Sequence, residues 1–529
     1  MNAGSPDGGP TVREVAVDLL RAFGITTVFG NPGSTELPLY REFPEDFRYV
    51  LGLQESVVLA MADGFAQATR NAAVVNLHSA VGVGHAMGNL FTAYRNRTPL
   101  VVLAGQQARS LLVGEPFLFS AEATELPKPY VRWSCEPARA EDVPAALVRA
   151  YYLAMSPPQG PTLVSVPVDD WDRPAEPIAP RPVSTVVRGD PEQIEELAQA
   201  LVLARRPVFV VGAAVDREGA FDDVVALAEA HRAAVWAAPV SARCSFPQRH
   251  PLFAGFLPAA REDIVARLWG HDVIVVLGAP VFTYHVEGAG PLVPDDAALY
   301  QLTDDPEEAA WTPVGTSLLT SIGPAVRDLL AQAVATPVGR PHPPARPLPE
   351  RVVAGKAISQ AWLMQLLADL RPDDSIIVEE APTSRPVMAD CLPIDRPESF
   401  YTTASGGLGY GLAAAVGVAL GRPSQRVIAV VGDGSAMYAI QALWSAARLR
   451  LPLTVVVVNN QGYAALDGFA RHFGMDKAVG TALGGLDFAG LARAQGCLGT
   501  RIERPGDLPD ALSAALSSPV PHLLDVLVT

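Results

Sequence analysis

The stretch that decides the fold is RVIAVVGDGSAMYAIQALWSAARLRLPLTVVVVNN, residues 426–460. Its pattern predicts a strand, a Gly-Asp-Gly turn, a helix, a second strand and an Asn-Asn pair. This order is typical of a βαβ unit, in which both parallel strands end at the edge of the sheet where ligands bind. We therefore expect Asp433 and Asn460, which follow the two strands, to lie close together.

Both side chains carry hard oxygen ligands, the kind that Mg²⁺ prefers in proteins. Together with the backbone carbonyl of Gly462, they predict a site for Mg²⁺ or Ca²⁺. The glycines of the turn let the backbone approach a diphosphate, and the helix expected to open at Ser435 would point its amide groups towards it. The alternative interpretation is an ordinary strand-end turn followed by a solvated asparagine pair.

The same alternation of short apolar strands and amphipathic helices runs through nearly all 529 residues. It predicts an α/β protein of three domains, each with a mostly parallel sheet flanked by helices. Proline-rich stretches at 169–183 and 336–352 predict extended linkers between the domains. The predicted boundaries are an N-terminal domain at 1–175, a central domain at 185–338 and a C-terminal domain at 350–529.

Composition excludes several classes of protein. The net charge of −16 argues against a nucleic-acid partner. The four cysteines are far apart and form no CxxC motif, which argues against a zinc module and a disulfide scaffold. The N-terminus is polar and no apolar run is long enough to cross a bilayer, so we expect a cytoplasmic protein without a membrane partner. No segment carries GxGxxG after its first strand, which disfavours a dehydrogenase.

The pattern of GDG, 24 residues and NN resembles the cofactor motif of thiamine diphosphate-dependent decarboxylases and acetohydroxyacid synthases. The stretches GNPGSTELP at 30–38, NLHSAVGVGHAMG at 76–88 and ASGGLGYG at 404–411 resemble benzoylformate decarboxylases in particular, and the resemblance extends from about residue 12 to the end. It implies a pyrimidine-binding first domain and a third domain that binds diphosphate and metal. The implied reaction is non-oxidative decarboxylation of benzoylformate to benzaldehyde and CO₂, with carboligation as a side activity.

The resemblance also assigns catalytic residues. Glu55, which follows a strand and precedes an apolar helix, would exchange a proton with the aminopyrimidine ring of thiamine diphosphate. Ser34 would hold the substrate carboxylate, while His78 and His285 would relay protons, a task that suits imidazole near neutral pH. Taken alone, each histidine is more often a structural residue. The other seven histidines are assigned to structural or solvated positions, with a place in the pocket left open for His85, which lies close to the start of the NLHS helix.

Further residues are implied around the cofactor and the substrate. Leu408 is expected to hold the cofactor in a bent form. The bend brings the 4′-imino group close to C2, so that proton transfer between them becomes intramolecular in effect. The remaining cofactor contacts are expected from Gly406, Thr383, Ser384, Gly434, Ser435 and Tyr463. The acyl pocket should be apolar because a phenyl ring gains most by leaving water, and its expected lining, besides Ser34, is Phe117, Leu118, Ala465 and Phe469.

The resemblance implies an assembly as well. In this family the glutamate and the diphosphate site face each other across a subunit interface, so we expect a homodimer at minimum and a homotetramer as the implied state. One alternative is another thiamine diphosphate enzyme: a branched or aliphatic 2-oxo acid decarboxylase, an aldehyde lyase or an acetohydroxyacid synthase-like carboligase. A second alternative, of a different class, is a catalytically silent binding or regulatory homologue.

Overall fold

The computed structural model describes residues 9–333 and 340–529. The first residues of the predicted N-terminal domain, the end of the predicted central domain and the beginning of the predicted linker at 336–352 therefore lie outside the described residues. Within the described part of the chain, no helix combines the length and apolar character needed to cross a membrane.

The first domain contains six parallel strands and four α-helices. Its elements are α1 Val12–Ala22, β1 Thr27–Gly30, β2 Arg48–Leu51, α2 Glu55–Thr69, β3 Ala73–Leu77, α3 Ser79–Asn96, β4 Leu100–Gln106, β5 Trp133–Cys135, α4 Val143–Met155 and β6 Pro161–Pro167. The strand order is β2-β1-β3-β4-β6-β5. Apolar residues cover both faces of the sheet, as expected for parallel strands buried between helices.

The central domain forms the second parallel sheet. Its elements are α5 Pro191–Leu203, β7 Pro207–Val211, α6 Ala213–Arg217, α7 Phe221–His231, β8 Ala234–Ala237, β9 Phe253–Phe256, α8 Arg261–Leu268, β10 Val273–Leu277, β11 Ala298–Thr303, α9 Pro306–Trp311, β12 Thr316–Leu319 and α10 Ile322–Gln332. The strand order is β12-β11-β10-β7-β8-β9. The chain thus builds the sheet in one direction from β7 to β9, then crosses to the other side of β7 and continues from β10 to β12.

The third domain forms the third parallel sheet. Its elements are α11 Gln360–Leu370, β13 Ile376–Glu380, α12 Arg385–Cys391, β14 Phe400–Tyr401, α13 Gly411–Gly421, β15 Val427–Gly432, α14 Asp433–Tyr438, α15 Ala442–Arg448, β16 Leu453–Asn459, α16 Ala465–His472, α17 Phe488–Ala494, β17 Leu498–Ile502, α18 Leu508–Ser517 and β18 His522–Leu527. The strand order is β14-β13-β15-β16-β18-β17. The three parallel sheets agree with the predicted fold class.

The first and third domains share one hydrophobic core, and helices α2 and α13 form its centre. A Cβ atom at Gly64 of α2 would lie 2.1 Å from the carbonyl oxygen of Ala414, and one at Gly417 of α13 would lie 1.8 Å from that of Met61. The two helix backbones are thus in direct contact, and only glycine fits at these two positions. This contact positions the carboxyl edge of the first sheet relative to that of the third.

Two local predictions need correction. The helix predicted to open at Ser435 begins two residues earlier, at Asp433, and the predicted single helix is divided into α14 and α15 where Ala439 leaves the helical conformation. The linker predicted from residue 169 starts later. Trp171 is buried against the first domain and the Val12 amide donates to the Arg173 carbonyl at 2.8 Å, because burial of the indole outweighs the tendency of prolines to form extended chain.

Candidate active site

The carboxyl ends of β15 and β16 bring together the residues predicted to bind a metal ion. The strands are parallel neighbours, with Gly432 opposite Val458. The amide of Gly462 donates to Asp433 Oδ2 at 2.9 Å and to Asn460 Oδ1 at 3.1 Å. The two side chains predicted from the sequence therefore converge on one backbone group, as the βαβ geometry requires.

The chemistry of these atoms fits a hard cation. A buried carboxylate and an amide oxygen meet here, and the predicted backbone carbonyl of Gly462 would complete an all-oxygen set of the kind that Mg²⁺ binds together with waters and phosphate oxygens. Burial raises the pKa of Asp433. Beside this set, a Cβ atom at Gly434 would lie 2.2 Å from Cε1 of Tyr463, so the glycine is what allows the tyrosine ring to pack against the turn.

A second group of predicted residues lies next to the first. The hydroxyl of Thr383, which follows β13, accepts a hydrogen bond from the Ala465 amide at 3.1 Å and so holds the start of α16. One turn along α16, the Phe469 ring packs edge-on against His285, with 4.7 Å between ring centroids. A histidine of the central domain thus contacts a phenyl ring of the third domain, although nearly two hundred residues separate them in the chain.

His78 lies at the carboxyl edge of the first sheet, immediately after β3. Its Nδ1 atom is 3.0 Å from Glu36 Oε2 and 3.1 Å from Thr35 Oγ1. Glu36 is only 2% exposed and also accepts hydrogen bonds from the Gly33 amide at 2.8 Å and from the Thr35 hydroxyl at 2.6 Å. A Cβ atom at Gly33 would lie 2.1 Å from His78 Nδ1, so the loop after β1 needs a glycine to make room for the imidazole.

Glu36 was not among the residues predicted for the site. The available signal is an acidic side chain in the loop after β1, since the sheet order places that loop beside the end of β3, which precedes His78. A buried carboxylate at this distance orients the imidazole and favours the tautomer that carries its proton on Nδ1.

Glu55 is the first residue of α2 and follows β2, as predicted. Its Oε2 atom lies 3.1 Å from Nδ1 of His85. His85, for which both a structural position and a place in the pocket were open, is therefore a direct neighbour of the predicted catalytic carboxyl. The signal in the sequence is its position on α3 two turns after His78, which places both histidines near the start of that helix.

The remaining predicted residues differ in how exposed they are and in whether the structure holds them in place. Ser34 is exposed in the loop after β1, and Leu408 is half-buried in the loop that precedes α13. The Ser79 hydroxyl donates to the Leu118 carbonyl at 2.8 Å, which holds Leu118 near the start of α3, whereas Phe117 is 86% exposed. The predicted pocket lining is thus divided between the first domain and the third.

Comparison with known proteins matches each domain separately. Family models described as thiamine pyrophosphate enzyme match the N-terminal TPP binding domain at residues 10–121, the central domain at 194–329 and the C-terminal TPP binding domain at 383–526. A benzoylformate decarboxylase of Pseudomonas aeruginosa is 43% identical over 521 residues, which cover 98% of both chains.

Two solved structures extend this similarity to three dimensions. The thiamine diphosphate-dependent 4-hydroxybenzoylformate decarboxylase of Rhodococcus jostii RHA1 superposes with a TM-score of 0.95 at 43% identity, covering 98% of this chain and 99% of that one. The benzoylformate decarboxylase of Polynucleobacter necessarius gives a TM-score of 0.95 at 39% identity and 98% coverage of both chains. The chain belongs to the family of thiamine diphosphate-dependent enzymes, as a homologue of benzoylformate decarboxylases and a member of their carboxy-lyase class.

Proposed function

We propose that this enzyme catalyses the thiamine diphosphate- and Mg²⁺-dependent decarboxylation of benzoylformate to benzaldehyde and CO₂, with carboligation as a side activity. The observation that carries the substrate class is the contact between His285 and Phe469, which puts an imidazole beside an apolar aromatic surface. A phenyl group packs favourably on such a surface, and the imidazole would then lie near the 2-oxo acid group that the phenyl ring carries. The relatives named for benzoylformate and 4-hydroxybenzoylformate support the same class of substrate.

The third domain would hold the cofactor. Asp433, Asn460 and the Gly462 carbonyl would hold Mg²⁺, whose charge would offset that of the diphosphate, and Gly434, Ser435 and Tyr463 would lie around the diphosphate. Thr383, Ser384, Gly406 and Leu408 complete the cofactor site from the two neighbouring loops. When bound, thiamine diphosphate supplies a nucleophilic carbon and accepts the electron pair released with CO₂.

The first domain would move the protons. The Glu55 carboxyl holds a proton at the aminopyrimidine ring, and His85 keeps that carboxyl in place through its Nδ1 atom. The Nδ1 atom of His78 is hydrogen-bonded to the Glu36 carboxylate. Its Nε2 atom is therefore the one that gives a proton to the substrate carbon or takes one from it. The Ser34 hydroxyl donates a hydrogen bond to the substrate carboxylate, and His285 assists release of the aldehyde.

The pocket would combine walls from two domains. Phe469 and Ala465 would present an apolar face from α16, and Leu118, held by Ser79, lies near His78 at the carboxyl edge of the first sheet. Phe117 extends the wall from its exposed position. An apolar pocket of this composition favours an aromatic 2-oxo acid over pyruvate, because the larger group removes more apolar surface from water.

The proposal includes a homodimer as the smallest active unit, a homotetramer as the assembled form and a cytoplasmic location. Large apolar side chains are exposed on both edges that carry the site. Leu53 and Val81 lie beside Glu55 and His85, and Tyr438 and Leu466 lie beside the metal-binding loop. Exposed apolar groups around polar site residues are typical of surfaces covered by another subunit.

The test is benzaldehyde formation from benzoylformate by the purified apoprotein, with and without added thiamine diphosphate and Mg²⁺. We expect turnover only with both additions and little turnover of pyruvate. Phe469→Ala should raise the KM for benzoylformate by about tenfold, since one buried aromatic contact is lost. Phe23→Ala is the matched control, because Phe23 is also half-buried but stacks on Tyr151 at the end of α1, before β1. Formation of acetolactate from pyruvate, with no benzaldehyde from benzoylformate, would contradict the proposal and indicate a synthase.

A further inference from the structure

Helix α3 carries a polar stripe, which we define as His85, Asn89, Thr92 and Asn96. The spacing of four, three and four residues places all four side chains on one face of the helix. Three of them are almost completely buried, with exposures of 3% for Asn89, 1% for Thr92 and 6% for Asn96. A buried helix face is ordinarily apolar, so polar groups at these positions must each have a hydrogen-bonding partner to be tolerated.

Asn89 has partners on two different elements of the candidate site. Its Nδ2 atom donates to the carbonyl oxygen and the hydroxyl of Ser56, each at 2.9 Å, and to the carbonyl oxygen of Gly409 at 3.2 Å. Ser56 is the residue after Glu55, and Gly409 is the residue after Leu408. One buried amide therefore joins the start of the catalytic helix α2 to the loop that carries Leu408.

The other members of the polar stripe bind the same two elements. His85 lies 3.1 Å from Glu55, the Thr92 hydroxyl lies 2.8 Å from that of Ser405, and the Ala404 amide donates to Asn96 Oδ1 at 2.9 Å. Segment 404–409 is thus held along its length by α3, and the first turn of α2 is held by the same face of the same helix.

Glu380, at the end of β13, holds the Leu408 loop from the opposite side. Its carboxylate accepts hydrogen bonds from the amides of Gly409, at 2.7 Å, and Gly411. Gly409 has a φ of +99°, a conformation that favours glycine, and a Cβ atom there would lie 3.0 Å from Tyr438 Cβ. The backbone beside Leu408 therefore has one arrangement, fixed by two buried polar side chains.

We propose that the polar stripe, through Asn89 above all, is a set of positioning residues that fixes Glu55 and Leu408 for the reaction. The inference rests on the proposed function, since it concerns the same cofactor site. Misplacement of a reacting group by about 1 Å can cost a factor of 100 in rate, so a rigid connection to these two residues has a direct catalytic effect. In the proposed homodimer each cofactor site lies between two chains. The stripe of one chain therefore positions Glu55 in one site and Leu408 in the other.

The experiment measures thiamine diphosphate affinity of the apoprotein, with Mg²⁺ present, by quenching of tryptophan fluorescence. In Asn89→Ala the acceptors on Ser56 and Gly409 lose their buried donor, and we expect the dissociation constant to rise about tenfold or more. Thr92→Val preserves shape and removes the contact with Ser405 together with the hydrogen bond to the Gly88 carbonyl within α3. Its expected rise is about threefold to tenfold. The rate of benzoylformate turnover at saturating cofactor should fall in the same order.

The matched control is Asn71→Ala. Asn71 is part-buried in the same domain, donates to the Phe23 carbonyl at 2.9 Å and accepts from the Tyr151 hydroxyl at 3.1 Å, beyond the end of α2 opposite to Glu55. It should lower the thermal midpoint, as Asn89→Ala does, but leave cofactor affinity within about twofold of wild type, because the two sites share no partner.

Wild-type cofactor affinity in both Asn89→Ala and Thr92→Val would overturn the proposal, and so would an equal loss of affinity in Asn71→Ala. If Asn89→Ala does not fold, Thr92→Val decides between these outcomes. A wild-type protein that binds thiamine diphosphate but does not convert benzoylformate would overturn the proposed substrate alone, because the affinity measurement does not depend on turnover.

Discussion

The first and third domains have the same strand order, yet they place different chemistry at the same edge of the sheet. Strands β2-β1-β3-β4-β6-β5 of the first sheet correspond one to one with β14-β13-β15-β16-β18-β17 of the third. After β3 comes His78, a residue suited to proton transfer, and after the corresponding β15 comes Asp433, a residue suited to binding a cation. The strand scaffold therefore provides equivalent positions, and the side chains that follow each strand decide what each position does.

The correspondence includes the helices. Helix α2 follows β2 and α13 follows β14, and these two helices pack on each other through Gly64 and Gly417. At the equivalent helix starts lie Glu55 in the first domain and the loop of Leu408 in the third. We infer a division of labour in which the first domain moves protons and the third holds the cofactor. The central sheet has a different strand order and contributes His285.

The sharpest test of this division is Glu55→Gln. The amide in this variant cannot exchange the proton that the carboxyl exchanges, so we expect kcat to fall by about 100-fold to 10,000-fold, with cofactor affinity nearly unchanged. Hydrogen–deuterium exchange at C2 of the bound cofactor, followed by NMR, measures the step directly. Unchanged exchange would remove Glu55 from its proposed role.

Asp433→Ala should have the opposite profile. Loss of the buried carboxylate leaves the cation and the diphosphate without their main partner, so the affinity for thiamine diphosphate with Mg²⁺ should fall by at least about 100-fold. Isothermal titration calorimetry on the apoprotein measures the affinity. Tight binding by this variant, with loss of turnover only, would mean that the third domain does more than hold the cofactor.

Glu36→Gln tests how the first domain orients His78. The amide cannot fix the imidazole tautomer as a carboxylate does, so turnover should fall by about tenfold to 100-fold, less than in His78→Ala. The measurement is kcat and KM for benzoylformate, beside the thermal midpoint of each variant. Wild-type turnover in Glu36→Gln, with only reduced stability, would show that Glu36 serves packing alone.

The smallest expected effect concerns Glu380 in the third domain. Burial raises the pKa of Glu380 to about 7, whereas a glutamate in the unfolded chain titrates near 4.3. The folded protein thus keeps a proton that the unfolded chain releases, and its stability falls as the pH rises from about 4.3 to about 7. Calorimetry of apo Glu380→Gln should show a thermal midpoint that depends less on pH in this range. An unchanged slope would place the titration elsewhere.

The sequence was sufficient for the three parallel sheets and for the strands on both sides of the Gly-Asp-Gly turn, because continuous apolar runs separated by helices have few other arrangements. It also predicted that Asp433 and Asn460 converge, since the ends of adjacent parallel strands must meet at one edge. It was less successful where tertiary burial outweighs local preference, as at Trp171, which is buried although its proline-rich surroundings predict an extended linker.

By itself, then, the sequence determined the fold class, the family and the identity of the groups after each strand, because periodicity and local motifs are properties of short segments. The folded chain was needed to see that Glu36 contacts His78, that His85 contacts Glu55, that His285 packs on Phe469 and that Asn89 joins Ser56 to Gly409. These contacts connect residues distant in the chain, and they depend on how closely strands, helices and whole domains approach one another. No local pattern contains that information.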